Sequence, residues 1–169
     1  MKTALRWGLG IGVVNMLWLY LAYFLGLHTN GIYVFQIFML IWLLLTVAGF
    51  VLALRAAKRE NPSLTYLGGL AVGVGTAIVS AAVAVVAQIG YFKVVHPQWP
   101  DVMAQQTQEY FTAQGMTAED VELRVQESRK TFTLTNYAVT SAITALVVGT
   151  VLSGIIMLFL RRPFASSAG

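Results

Sequence analysis

Apolar positions in this chain gather into four long runs, at about residues 5–27, 32–54, 64–92 and 135–160. A helix of roughly 20 apolar residues crosses the hydrocarbon of a bilayer. The pattern therefore predicts an all-α protein, a four-span transmembrane helical bundle forming one membrane domain over residues 1–169. Between the first two runs stand Gly26, Leu27, His28, Thr29, Asn30 and Gly31. The Asn-Gly pair tolerates left-handed backbone. So short a connection makes the first two spans an antiparallel hairpin. After the second run come Arg55, Lys58, Arg59 and Glu60, then Asn61-Pro62, which predicts a helix cap and a first-turn proline for span three.

The connection at about residues 93–134 is the one sizeable polar piece. Val102, Met103, Gln106, Tyr110 and Phe111 recur near helical spacing, and Gly115 is a stop. Thr117-Ala118-Glu119-Asp120 reads as a capping box with Asp in the Glu place. Val121, Val125 and Phe132 then share a helical face. This predicts a small extracytoplasmic insert of two helices between spans three and four. Either they fold over the outer mouth of the bundle, or they lie flat on the outer leaflet.

Charge assigns sides. Lys2, Arg6, Arg55, Lys58, Arg59, Arg161 and Arg162 flank one end of the runs, against the single acid Glu60. The third connection holds Lys93, Arg124, Arg129 and Lys130 against Asp101, Glu109, Glu119, Asp120, Glu122 and Glu127. The positive-inside rule puts the first group, and both termini, in the cytoplasm. Trp7 and Tyr66 then mark the inner interface, and Tyr23, Tyr33, Tyr91, Trp99 and Tyr137 the outer one. The first run is longer than a typical signal-peptide core and ends without a small-x-small cleavage site, so it reads as a retained span.

Composition agrees. The chain is 57% hydrophobic and only 11% charged, where soluble domains carry about 25% charge. It has no cysteine, which excludes disulfides, thiolate catalysis and zinc-thiolate or iron–sulfur sites. The net charge of +4 sits at membrane edges and signals no nucleic acid.

Lipid gives helices no hydrophobic reason to associate, so close packing through small residues has to supply it. Ser141, Ala145, Gly149 and Ser153 form such a stripe on span four. Gly69, Gly73 and Ser80 do so on span three, and Gly8, Gly12 and Asn15 on span one. Span two is bulky, with Phe35, Phe38 and Trp42. Spans one, three and four are thus expected to form the tight core, with span two toward lipid or a partner.

Candidate chemistry is sparse. The spans carry no ionisable group in their apolar cores, whereas ion-coupled carriers place one there. Asn15, Gln36 and Gln88 form a possible polar path, or act as interhelical hydrogen-bonding glue. His28 and His96, with Asp101 or Glu109, lack the spacing of a zinc site and read as interfacial histidines. His96, Asp101 and Glu109 would serve as an acid–base site only if they converged. No catalytic, cofactor or metal residues are therefore assigned.

The segment Tyr91-Phe92-Lys93-Val94-Val95-His96-Pro97-Gln98-Trp99-Pro100-Asp101-Val102, the two helices behind it and a last span ending Gly154-Ile155-Ile156 before Arg161-Arg162 resemble bacterial membrane proteins of domain-of-unknown-function family 4199. His96 here replaces the Asn expected before Pro97. The resemblance implies this architecture and a bacterial inner-membrane location, and no site residues. The expected role is a non-enzymatic scaffold, assembly or regulatory subunit that contacts membrane lipids and forms a homo-oligomer or joins a larger complex. The alternative is a small carrier or channel for a neutral or lipid-like substrate.

Overall fold

The computed structural model of the protein describes residues 1–28 and 32–160, with side chains from Gln36 onward in the second stretch. The Asn30-Gly31 pair, the side chains of Tyr33 and Phe35, and Arg161-Arg162 lie outside the described residues. Among the described residues six α-helices follow one another: α1 (Lys2–Phe24), α2 (Ile32–Glu60), α3 (Tyr66–Gly90), α4 (Trp99–Ala113), α5 (Ala118–Thr131) and α6 (Leu134–Leu160). A π-helical turn, Tyr91–Val95, prolongs α3. Among the described residues four stretches are long and apolar enough to span a bilayer: Lys2–Phe24, Gln36–Glu60, Tyr66–Val95 and Leu134–Leu160. Each leaves a ridge of apolar side chains exposed, such as Val139, Ile143, Val147 and Val151 on α6. In water such ridges would drive aggregation, whereas lipid is their natural solvent. The chain is built as a multi-pass membrane protein.

Local chemistry sets the helix ends. After α1 the chain turns through Gly26 at φ 73°. Leu27 N–H bonds to the Ala22 carbonyl and Gly26 N–H to the Tyr23 carbonyl, both at 2.9 Å. This pair of bonds is a Schellman stop, and it ends α1 three residues before the apolar run does. The same motif closes α4 at Gly115, φ 76°. The Thr117 hydroxyl then caps α5 by accepting from Asp120 N–H at 3.2 Å, as the capping box predicts.

One cap differs from the sequence expectation. Asn61 does not cap α3. Its side-chain oxygen folds back to accept from Ser63 N–H at 3.2 Å, a local turn. Thr65 caps instead, accepting from Gly68 N–H at 3.1 Å. Helix α2 meanwhile runs past the apolar stretch to Glu60, with Lys58 and Arg59 in its last turn, where cations offset the helix dipole.

Helix α3 is central, with its largest interfaces against α1 and α6. Helix α2 packs mainly on α1 and more thinly on α3 and α6. Near the basic end the glycines permit close approach. A Cβ on Gly8 would lie 2.6 Å from Val79, and one on Gly12 2.6 Å from Val83. A Cβ on Gly69 would collide with Met157, and one on Gly73 with Ser153. The insert rests on the bundle rather than flat on a membrane surface. Trp99 and Met103 of α4 are buried with Leu19, Ala22, Phe38, Ala87, Tyr91 and Phe92. Helix α5 packs on α4 through Val121, Val125 and Ala104.

Candidate functional site: an intramembrane cavity beneath a histidine–tyrosine cluster

Between the spanning helices lies a cavity, lined in part by small residues of the stripes that elsewhere meet in close contact. The cavity measures about 190 Å³. That is more than the roughly 150 Å³ that admits benzene to an engineered protein cavity. Its polar wall includes Asn15, Thr46, Ser80, Gln88, Tyr137 and Ser141; its apolar wall includes Leu19, Phe38, Trp42 and Phe50. No Asp, Glu, Lys, Arg or His stands among its described lining residues. Met39 of α2 and Thr140 of α6 line the cavity and are also exposed. The rim of the cavity therefore reaches the lipid-facing surface at these two helices.

The proposed packing stripe thus divides in two. Gly149 lies against Ala77 and Phe50, and Gly73 against Ser153. Ser153 is fully buried, its hydroxyl donating to the Gly149 carbonyl at 2.6 Å. Asn15, Ser80, Ser141 and Ala145 face the cavity. Periodicity cannot distinguish these fates, because a small side chain is compatible with a tight contact and with a void alike.

Of the three amides, Asn15 and Gln88 line the cavity and Gln36 does not: it is exposed on α2. Phe38 and Trp42 face inward, and a residue two positions from Phe38 lies on nearly the opposite side of a helix. Of the three amides considered for a polar path, the cavity thus brings together two. Asn15 donates from Nδ2 to Thr46 Oγ1 at 3.1 Å. Its Oδ1 is buried without a hydrogen-bond partner, as is Oε1 of Gln88.

Above the cavity, aromatic residues enclose the two histidines. They are not ordinary interfacial side chains: His28 is 1% exposed and His96 7%. Both reach one phenol. His28 Nδ1 lies 2.5 Å from Tyr91 Oη, and His96 Nδ1 3.2 Å from the same oxygen. The π-helical turn makes this possible, since the bond from His96 N–H to the Tyr91 carbonyl, 2.7 Å, brings the residues back together. Trp99 tilts against both imidazoles, and Phe38 stands edge-on to His28 at 4.5 Å. The Gln106 amide donates to the His28 carbonyl at 3.2 Å. One cluster thereby ties the α1–α2 connection, the end of α3 and the start of α4.

Proton counting fixes its neutral form. Tyr91 has one O–H to donate, so one Nδ1 accepts it and the other must donate its own N–H to the phenol oxygen. Burial, and then repulsion from His96, lowers the His28 pKa to about 4. Burial also lowers that of His96. Sequence reasoning missed this cluster. The available signal was that both histidines of the chain stand in connections at the same end of the bundle, one of them within an aromatic-rich helix exit.

The carboxylates considered with His96 go elsewhere. Asp101 pairs with Arg129 at 2.6 Å, and Glu109 accepts from Gln105 at 2.9 Å. Among the described residues, no group of three or more His, Asp or Glu side chains is placed to hold a metal ion.

The sequence matches the family described as "Protein of unknown function (DUF4199)" over residues 6–162. No curated protein and no solved structure matches it.

Proposed function

The chain belongs to the DUF4199 family, and from that premise we propose that it binds a small neutral, lipid-like molecule inside the bundle, as a carrier or membrane receptor. One observation carries this reading over the scaffold alternative: a cavity within the apolar spans, reaching the lipid-facing surface at α2 and α6, whose wall includes Asn15 and Gln88. A pure packing module gains nothing from such a void, since each unfilled volume forfeits dispersion contacts. The described lining residues carry no charge to bind or relay an ion, and ion-coupled carriers depend on such a group.

The test is gentle extraction of the full chain, size analysis, and mass spectrometry of what stays bound. A reproducible, near-stoichiometric neutral lipid or small molecule supports the reading. A stoichiometric protein partner with an empty bundle would replace it with the scaffold reading, in which the protein acts as a homo-oligomer or as a subunit of a larger complex.

The reading includes a bacterial inner-membrane location, with both termini and the α2–α3 connection cytoplasmic and α4–α5 outside. Charge asymmetry supports this orientation. The lack of native cysteine makes the check simple. In spheroplasts, a membrane-impermeant maleimide should label Glu119→Cys directly and Ser63→Cys only after lysis; the reverse order would invert the topology.

A further inference from the structure

The cavity's hydrogen-bonding groups specify the head of its ligand. The Thr46 hydroxyl already donates, at 2.9 Å, to the Trp42 carbonyl. Having spent its one proton, Thr46 can only accept from Asn15. The Asn15 amide is thereby oriented: Nδ2 faces Thr46, and Oδ1 is the atom left without a partner. Gln88, only 8% exposed, adds a second amide oxygen without a partner on the same cavity. Buried amide oxygens left unpaired in an apolar setting are costly. A ligand with hydrogen-bond donors relieves that cost. A ligand whose head only accepts, such as an ester or quinone, does not. An anionic head would meet these carbonyls with no cation on the lining to balance it.

We propose that the cavity recognises a neutral amphiphile by a hydroxyl-bearing head, of the monoacylglycerol or long-chain alcohol class. The head sits between Asn15 and Gln88, and the chain leaves at the rim, past Met39 and Thr140. The size is consistent: about 190 Å³ holds a head and the first few chain atoms, not a whole lipid. The inference rests on the binding function proposed above.

The experiment uses the full chain in phosphatidylcholine nanodiscs doped with equal mole fractions of 1-monooleoylglycerol, methyl oleate and oleate. Native mass spectrometry counts the complexes. The expected result is retention of 1-monooleoylglycerol about tenfold or more above the other two, the value of one well-made hydrogen bond. Gln88→Met, which keeps the volume and removes the carbonyl, should shrink that preference severalfold. The comparison in the unsubstituted protein needs no variant to fold. Equal retention of 1-monooleoylglycerol and methyl oleate would overturn the donor-head inference and leave intramembrane binding standing. A preference for the ester or for oleate would overturn it too. Retention of none of the three would remove the binding function itself, and this inference with it.

Discussion

Gly149→Leu should cost about 3 kcal/mol or more of stability, the upper range for overfilling a packed site. The apparent melting temperature in mild detergent should then fall by roughly 10 °C. At Gly149 even a Cβ would stand 2.7 Å from both Ala77 Cβ and Phe50 Cζ, well inside ordinary contact. Phe50 is 1% exposed and Ala77 fully buried, so neither has free volume to move into. Three helices meet at this point, α6 through Gly149, α3 through Ala77 and α2 through Phe50, so a leucine there pushes on all of them. The matched control is Gly10→Leu. Gly10 is exposed, and nothing lies within 4 Å of where its Cβ would be. That change should alter stability by no more than about 0.5 kcal/mol. Equal melting of both variants and the parent would show that close helix approach does not hold the bundle together.

This contrast marks the limit of what the sequence alone conveys. Hydropathy located all four spans, because a bilayer imposes a length and a composition that few soluble helices share. Gly115 and the Thr117 cap were legible because each is a local event within a few residues. Asn61 misled for the same reason, since a local turn with Ser63 competed with the cap and prevailed. The packing stripes showed which faces carry small residues, but not that Gly73 and Gly149 meet neighbours while Ser80 and Ser141 line a void. That distinction depends on which faces the assembled helices bring together, a property of the whole bundle. The histidine cluster was hidden more deeply. His28 and Tyr91 are 63 residues apart and come together only once α1 and α3 pack and the π-helical turn reverses the chain toward His96.

The second large effect is acid sensitivity of that cluster. In the folded protein the His28 pKa is lowered to about 4, whereas in the unfolded chain it takes its ordinary value of 6.5. Between those values the unfolded chain binds the proton and the folded protein does not. Stability is therefore highest above pH 6.5 and falls as the pH drops toward 4. The full loss from this group is about 3 kcal/mol, of which roughly 2 kcal/mol should already be gone at pH 5. His96, shifted in the same direction, adds to the loss. Aromatic rings crowd both imidazoles. His28 faces Tyr91, Phe38 and Trp99, and His96 faces Tyr91, Tyr23 and Trp99. With both imidazoles charged, each Nδ1 becomes a donor and the Tyr91 proton loses its acceptor in a buried place, so the cluster comes apart at the join between insert and bundle. The check is a set of melting curves at pH 7.5, 6.0 and 5.0. The parent should lose several degrees between the first and last. His28→Gln, less stable at pH 7.5 because it loses ring contacts, should show a flatter pH profile. A variant with the parent's slope would assign the acid sensitivity to other groups. A parent with no slope would mean that protonation of His28 in the folded state is far easier than its burial implies.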